Sequence, residues 1–336
     1  MLTTPRRRAH AALLTAALIY SGYNVLLAQA LAHLSPVAFS LCRELAAIPL
    51  TYAWAAKVEG PVRLPATPLE RTRIMALGLV LGAFQLCFAT GVALTSATTA
   101  GIFQAVEPTT AAVLGAALGL EPMTRRRAAA ALLAGGGVLL LEVGGGVRPN
   151  ILGCVLLFCQ GLGIAAYCLL QRTLVRGGDA SDEPGLLGGA AAPAAPWGPI
   201  TVTAHALLVA TSVLACAAVL DTVVGIEAEA PFGPAQRRRF SRPDALAALA
   251  YATVLSSTVG YSLRAYANRF VDSATLVLYN AVQPPLTALL AVCFGLGAFG
   301  WREAGATVLV EAAVFVASRE RPSREVPVVT EGGEVL

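Results

Sequence analysis

Long apolar runs alternate with short polar segments along the whole chain. A bilayer span needs roughly 20 apolar residues. Ten stretches meet or approach that length: His10–Leu31, Pro36–Ala56, Ile74–Ser96, Thr98–Leu120, Arg127–Val143, Ile151–Gln171, Thr201–Leu220, Asp244–Ala267, Ser273–Leu296 and Glu303–Ser318. The fifth and tenth are the shortest. This pattern predicts an all-α polytopic membrane protein with ten transmembrane helices. They group as five, a Gly-rich joint and five: residues 1–143 form a first five-helix unit, 144–150 the joint, and 151–318 a second unit. The second unit contains a Gly/Ala/Pro-rich 177–199 loop that reads as a flexible tether, and 319–336 reads as a disordered cytoplasmic tail. Neither segment can bury enough apolar surface to order itself.

The strongest signal is an internal repeat. Gln104 to Leu120, QAVEPTTAAVLGAALGL, aligns without a gap on Asn280 to Leu296, NAVQPPLTALLAVCFGL, at an offset of 176 residues and with seven of 17 positions identical. Glu107 faces Gln283, and Pro108 recurs as Pro284. Both copies therefore lack one backbone donor at mid-depth, where lipid supplies no partner. The aligned pair are the fourth and ninth spans. Because five is odd, the second half enters the membrane inverted relative to the first. Inverted halves with helices broken at the midplane are an architecture of secondary transporters, and the breaks point to the binding site.

Composition narrows the class. The 336 residues are 56% hydrophobic and only 13% charged, with a mean hydropathy of +0.68, whereas soluble chains run near 25% charged. The net charge of +4 sits in short arginine clusters between apolar runs, so no nucleic-acid partner is expected. All seven cysteines lie inside apolar runs and none forms a CxxC pair. They read as buried thiols that pack, with no disulfide frame, metal site or cofactor. Arg6-Arg7-Arg8 ahead of the first run imitates a signal peptide, but no clear cleavage site follows, so it reads as a retained span. With the N-terminus inside, Lys and Arg in the connections assigned to the cytoplasm number 17 against six opposite. That excess places both termini in the cytoplasm, of either the plasma membrane or an endomembrane. The cluster Arg237–Arg239 breaks the rule and suggests a misplaced boundary nearby.

Ionisable residues inside spans are costly, at about 2.5–3.5 kcal/mol on insertion scales, and normally face the bundle interior with a partner. Four qualify: Arg43, Glu44, Glu107 and Glu311. Arg43 and Glu44 are adjacent, about 100° apart on a helix, so they are expected to face different ways. Either Arg43 reaches across to Glu107 or Glu44 caps a neighbouring polar group, the other reading of Arg43 being a structural pair or snorkelling to the surface. Glu107 lies one turn from Gln104 and is the best candidate to bind a cationic group or take up a proton. Glu311 has no charged counterpart in the first half and reads as one member of a helix–helix pair. A neutral tier of Gln85, Gln104, Gln160, Asn280 and Gln283, with Tyr20, Asn24, Tyr167 and Tyr261, suits a polar pocket or helix-to-helix hydrogen bonds. The substrate or coupling candidates are thus Glu107, Gln104, Asn280, Gln283, Arg43, Gln85 and Gln160, with Pro108 and Pro284 as helix breaks. Gly78/Gly82 and Gly115/Gly119, four apart, read as close helix contacts.

Ten spans in two halves resemble the drug/metabolite transporter superfamily in its EamA-type form. Pro108 followed by Glu121 looks like that domain's proline-containing helix and acidic turn, and Arg43 like an arginine such domains carry in the second span. Gly153, Tyr167 to Gln171, and Pro199–His205 (PITVTAH) are similar to plant nodulin-like EamA exporters. Three features depart from the pattern: Glu303 is shifted past Trp301, Glu311 stands where a small residue is usual, and the 177–199 insertion is long. The resemblance implies ATP-independent export or exchange of small organic metabolites such as amino acids or auxin-like acids, by alternating access and with possible proton coupling. The implied partners are the bilayer, a small-molecule substrate and protons, with a homodimer allowed. The absence of a GxxxxGK[ST] loop agrees with gradient-driven transport. With three dispersed histidines and no HExxH motif, the chain is not expected to be an enzyme. A non-transporting receptor or scaffold is the remaining alternative.

Overall fold

The computed structural model describes residues 5–97, 99–104, 106–107, 124–143, 150–175, 196–225, 230–271, 276, 279–295 and 300–318. The joint at 144–149, the bulk of the 177–199 insertion, the 319–336 tail, Pro108, Gly115, Gly119 and Glu121 lie outside the described residues. Among the described residues all regular structure is helical. The helices are α1 (Pro5–Leu31), α2 (Pro36–Val58), α3 (Pro68–Leu94), α4 (Arg125–Val143), α5 (Ile151–Val175), α6 (Pro199–Val224), α7 (Pro234–Phe240), α8 (Pro243–Asn268, π-helical over Ala252–Gly260), α9 (Gln283–Cys293) and α10 (Trp301–Ser318). Of these, α1, α3, α5, α6 and α8 are long and apolar enough to cross a membrane. A further helical segment carries Gln104 and Glu107.

Several helices begin earlier than the hydropathy pattern indicates, and capping chemistry supplies the reason. The third expected span starts at Ile74, but α3 starts at Pro68. There the Thr67 side chain accepts from the Glu70 amide and the Glu70 carboxylate accepts from the Thr67 amide, a reciprocal cap followed by a proline that loses no useful donor. Its first turn is too charged for lipid but well formed as helix. Capping also opens α2 at its expected start, where Ser35 accepts from Ala38 N at 3.1 Å, and closes α6 after Val224, where the C-cap Gly225 has a φ of 71°. The ninth expected span is not one helix: a 3-10 turn, Tyr279–Val282, leads into α9, with Pro284 in its first turn, the one helical position that tolerates a missing amide.

Helices from the two sequence halves interleave. α3 packs on α5 and α6, α2 on α6 and the π-helical part of α8, α1 on α8 and α9, and α4 on α10. Large apolar side chains such as Leu18, Leu45, Leu79, Phe158, Leu208 and Val219 point outward. Asn24, Arg43, Glu44, Gln85, Gln160 and Gln283 are buried. An apolar exterior around a polar interior is the distribution a bilayer selects, because a lipid-facing polar group finds no hydrogen-bond partner.

Two ends of the bundle are tied by polar contacts. At one, α7 docks on the α1–α2 turn: Gln236 Oε1 accepts from Ser35 N at 3.2 Å and Arg239 donates to the His33 carbonyl at 3.1 Å. The Arg237–Arg239 cluster therefore marks a short helix of its own, not a misplaced span boundary. At the other end, Glu59 caps α6, accepting from Ile200 N, Thr201 N and Thr201 Oγ1 at 2.8–2.9 Å, where the helix dipole favours an anion. Trp197 is buried there, its amide donating to Leu174 O at 3.0 Å and the Arg63 guanidinium 4.4 Å from its ring. The end of the expected 177–199 tether is thus a packed segment.

Gly78 and Gly82 sit where α3 meets α6. A Cβ on Gly78 would strike the Val209 side chain and come within 2.8 Å of the Ala206 carbonyl, and one on Gly82 within 2.9 Å of the Ala210 carbonyl. Backbone cannot swing aside as a side chain can. Gly78→Ala is therefore expected to cost about 1–3 kcal/mol through overpacking, read as a lower melting temperature of the detergent-solubilised protein. Gly135→Ala, with nothing within 4 Å of its Cβ, should match or exceed wild type because alanine is the better helix former. Equal melting of Gly78→Ala and wild type would contradict this helix contact.

Candidate functional site

Polar stripes on neighbouring helices converge on one cavity at the bundle centre. On α8, Ser257, Tyr261, Arg264 and Asn268 recur at helical spacing and are all buried; on α5, Gln160, Ile164, Cys168 and Gln171 do the same. The π-helical turns of α8, where Thr258 Oγ1 donates to the Thr253 carbonyl at 2.9 Å, lead Ser256 and Ser257 into this interior. Such widened turns concentrate at functional sites.

Two hydrogen-bonded clusters border the cavity. The first is built on α2. Arg43 pairs with Glu44 at 2.6 Å, both almost fully buried, and donates to the Tyr23 hydroxyl. Glu44 Oε1 also accepts from Gln85 Nε2 at 2.8 Å and Ser257 Oγ at 3.1 Å, while Gln85 Nε2 reaches the Tyr261 hydroxyl at 3.0 Å. This corrects the expectation that the adjacent residues face apart; of the readings open for Arg43 the structure shows a buried pair, with Glu44 and not with Glu107. The arginine side chain is long enough to curl around the helix to its neighbour, and a buried cation takes the nearest carboxylate.

The second cluster centres on Glu107. Its Oε1 accepts from Gln160 Nε2 at 2.9 Å and its Oε2 from Asn280 Nδ2. Asn280 Oδ1 accepts from Gln283 Nε2 at 3.0 Å and from Arg264 Nη1 at 3.3 Å. Gln104 lies beside this cluster in a separate contact, its Oε1 accepting from Asn24 Nδ2 at 2.7 Å. The repeat positions 104, 107, 280 and 283 therefore meet in or beside one network, together with Gln160. Pro284 follows Gln283 at the α9 start. The sequence reading missed Arg264, counted among the loop arginines although it lies within its own eighth span. Its heptad relation to Ser257 on a buried face was the available signal.

The cavity between the clusters is lined by aromatic rings (Tyr20, Tyr23, Phe84, Phe88, Tyr261) and by Arg43, Gln85, Gln104, Glu107, Gln160, Ser256 and Arg264, and it encloses about 30 Å³. That admits a water or two, well short of the roughly 300–1,000 Å³ of pockets that hold metabolites. Among the described residues, Tyr20 Oη, Arg43 Nε, Gln85 Oε1, Gln160 Oε1 and Ser256 Oγ are buried here without a hydrogen-bond partner. Buried polar atoms are nearly always paired, so five orphans around one small space mark a place for another polar species.

Other candidates fall outside this centre. Glu311 is half-buried on α10 and forms no ion pair among the described residues. Of the cysteines only Cys168 is buried. Cys159, Cys216 and Cys293 are exposed on the apolar surface, so the expectation of uniformly buried thiols fails. Lipid is as good an apolar surrounding for a thiol as protein is, so hydropathy cannot separate the two.

The model of a family described as the EamA-like transporter family matches residues 7–143 and 189–319. No curated protein matches the chain. A solved structure described only as "Crystal structure of protein" superposes with a TM-score of 0.60 at 17% sequence identity, over 92% of this chain and 96% of that one. Likeness at that identity speaks for the fold alone.

Proposed function

We propose a mechanism from the premise that this chain belongs to the EamA-like transporter family, and is therefore a multi-pass membrane protein that moves small molecules, not an enzyme. In this reading it is a secondary transporter that exports or exchanges small organic metabolites such as amino acids or auxin-like acids. Two inverted five-helix halves rock about the central cavity, exposing it to each side in turn. Both termini are cytoplasmic, in the plasma membrane or an endomembrane. Glu107 is the coupling acid, giving up and taking back a proton as its partners Gln160 and Asn280, both on the second half, move relative to the first half that carries it. The finer resemblance to plant nodulin-like exporters favours acidic or zwitterionic metabolites.

The observation that carries this reading is the cavity itself: it sits where the halves meet, both halves line it, and it holds unpartnered polar atoms. The 176-residue offset gives further support. Besides Gln104 with Asn280 and Glu107 with Gln283, it relates Gln85 to Tyr261 and Phe88 to Arg264. Gln85 and Tyr261 touch each other, as two equivalents do when they flank a pseudo-twofold axis. The volume is too small for a metabolite, so solute passage requires the halves to part.

The test is counterflow. Purified full-length protein in liposomes preloaded with unlabelled solute is expected to accumulate the labelled form of at least one member of a panel of amino acids and aromatic acids, without ATP. Protein-free liposomes supply the baseline. Absence of counterflow across the panel, by protein shown to be folded, favours the scaffold alternative.

A further inference from the structure

Arg264 stands out among the buried charges. Arg43 has a carboxylate at 2.6 Å. Among the described residues, no carboxylate oxygen comes within the 4.0 Å ion-pair limit of the Arg264 guanidinium. Its polar contacts are an amide oxygen, Asn280 Oδ1 at 3.3 Å, and a thiol, Cys168 Sγ at 3.9 Å, with the Tyr20 ring 5.7 Å away. A guanidinium carries five N–H donors in a planar fork suited to a carboxylate, and here only soft or distant acceptors meet them. Burying such a cation is expensive, and the cost persists only where function needs the charge.

We propose that Arg264 is the receptor for a carboxylate on the transported solute, and that the site is built for a zwitterion. This deepens the transport reading and rests on it. Three further features fit. First, Arg264 lines the cavity together with Tyr20, whose hydroxyl is buried without a partner and faces the same space. A carboxylate seated on the guanidinium fork would take that donor too. Second, the amide orientations are fixed. Gln160 Nε2 donates to Glu107 and Gln85 Nε2 donates to Glu44 and Tyr261, so the free Oε1 atom of each is an acceptor. Two acceptors on residues that line the same cavity as an anion receptor suit an ammonium beside a carboxylate. Third, the four charged side chains of the two clusters at the cavity, Arg43, Arg264, Glu44 and Glu107, carry charges that cancel when all are ionised. A net-neutral zwitterion therefore adds no uncompensated charge at mid-depth, whereas a simple amine or simple acid does.

Asn280 sets the receptor's readiness. Its Nδ2 is held by Glu107, which turns Oδ1 toward Arg264 and Gln283. The amide thus separates Glu107 from Arg264 and keeps the two from closing into an ion pair that would compete with solute.

Binding to the purified full-length protein in detergent tests the assignment with labelled phenylalanine and leucine as probes. Phenylalaninamide keeps the ammonium and loses the carboxylate; 3-phenylpropanoate does the reverse. Wild type is expected to bind at least one amino acid and to reject the amide by roughly 100-fold, because the missing carboxylate leaves a built polar site unpaired. Arg264→Gln should bind the amino acid roughly 100-fold more weakly and lose its preference for acid over amide. Arg264→Lys keeps the charge and guards against misfolding of the glutamine variant. It should bind about tenfold more weakly than wild type while still preferring the acid, since lysine lacks the planar fork. An amide that competes as well as phenylalanine against wild type, or unchanged phenylalanine affinity in Arg264→Gln, overturns the assignment. So does failure of wild type to bind either amino acid. In that last case counterflow of another solute would leave the transport reading standing.

Discussion

Glu44→Ala is expected to cost about 3–5 kcal/mol of folding free energy, because removing one partner of a buried ion pair leaves the other charge unmatched. Glu44 is fully buried, and Arg43 beside it is nearly so. Loss of the carboxylate would strand the Arg43 guanidinium with only the Tyr23 hydroxyl, and would take an acceptor from Gln85 and Ser257. Those donors come from α3 and α8, so the damage reaches three helices. Thermal unfolding of the detergent-purified variant, followed by loss of the monodisperse peak, checks this. The paired replacement Arg43→Met with Glu44→Met should be far milder, since exchanging a buried pair for apolar side chains of similar volume is often nearly neutral. Glu44→Gln, which retains an acceptor oxygen, should fall between. If the double replacement is as damaging as Glu44→Ala, Arg43 and Glu44 are not acting as a pair.

The second large effect is on transport. Glu107→Gln is expected to fold almost as wild type and to lose pH-gradient dependence of flux. The substitution looks mispaired at first, because both donors to Glu107 are amide nitrogens, from Gln160 and Asn280. Asn280 cannot turn over without breaking its bonds from Gln283 and Arg264. Gln160 can, since its Oε1 has no partner. After that flip the new glutamine donates to Gln160 and accepts from Asn280, and the network closes with one charge fewer. What disappears is a group that exchanges a proton. In liposomes with an imposed pH gradient, wild-type flux should follow the gradient, and Glu107→Gln should carry exchange without it. Gradient-driven flux that persists unchanged in the variant assigns Glu107 to packing alone.

How much was legible in the sequence depends on which force placed each residue. The helices were readable because lipid imposes a simple rule, a long apolar run, and Ile151 and Pro36 open helices where the pattern put them. The start at Pro68 lies six residues earlier than expected and that at Pro199 two, because caps, not hydropathy, end a helix. Glu107, Gln104, Asn280, Gln283 and Gln160 were readable as one group because polar atoms at mid-depth must find each other. The partner choices were not. Whether Arg43 meets Glu44 or Glu107 is decided by which helices touch, and single-chain periodicity carries no such information. Arg264 was not legible because near the end of a span an arginine can reach the surface by snorkelling, and only the packing around α8 shows that it does not. Glu59 as the cap of α6 joins residues 141 apart in sequence, beyond any local pattern.

Alternating access requires the small cavity in the middle of the bundle to open to both sides in turn, and Cys168 offers a direct reading of it. This thiol is buried against Arg264, whereas the other six cysteines lie elsewhere on the bundle. With Cys42, Cys87, Cys154, Cys159, Cys216 and Cys293 replaced by alanine or serine, a membrane-impermeant sulfonate-bearing thiol reagent can be added to one face of oriented proteoliposomes at a time. The account predicts that Cys168 is labelled from either face and that a transported solute slows labelling from both. Labelling from one face only, or none at either face in protein that still carries counterflow, would contradict alternating access at this site.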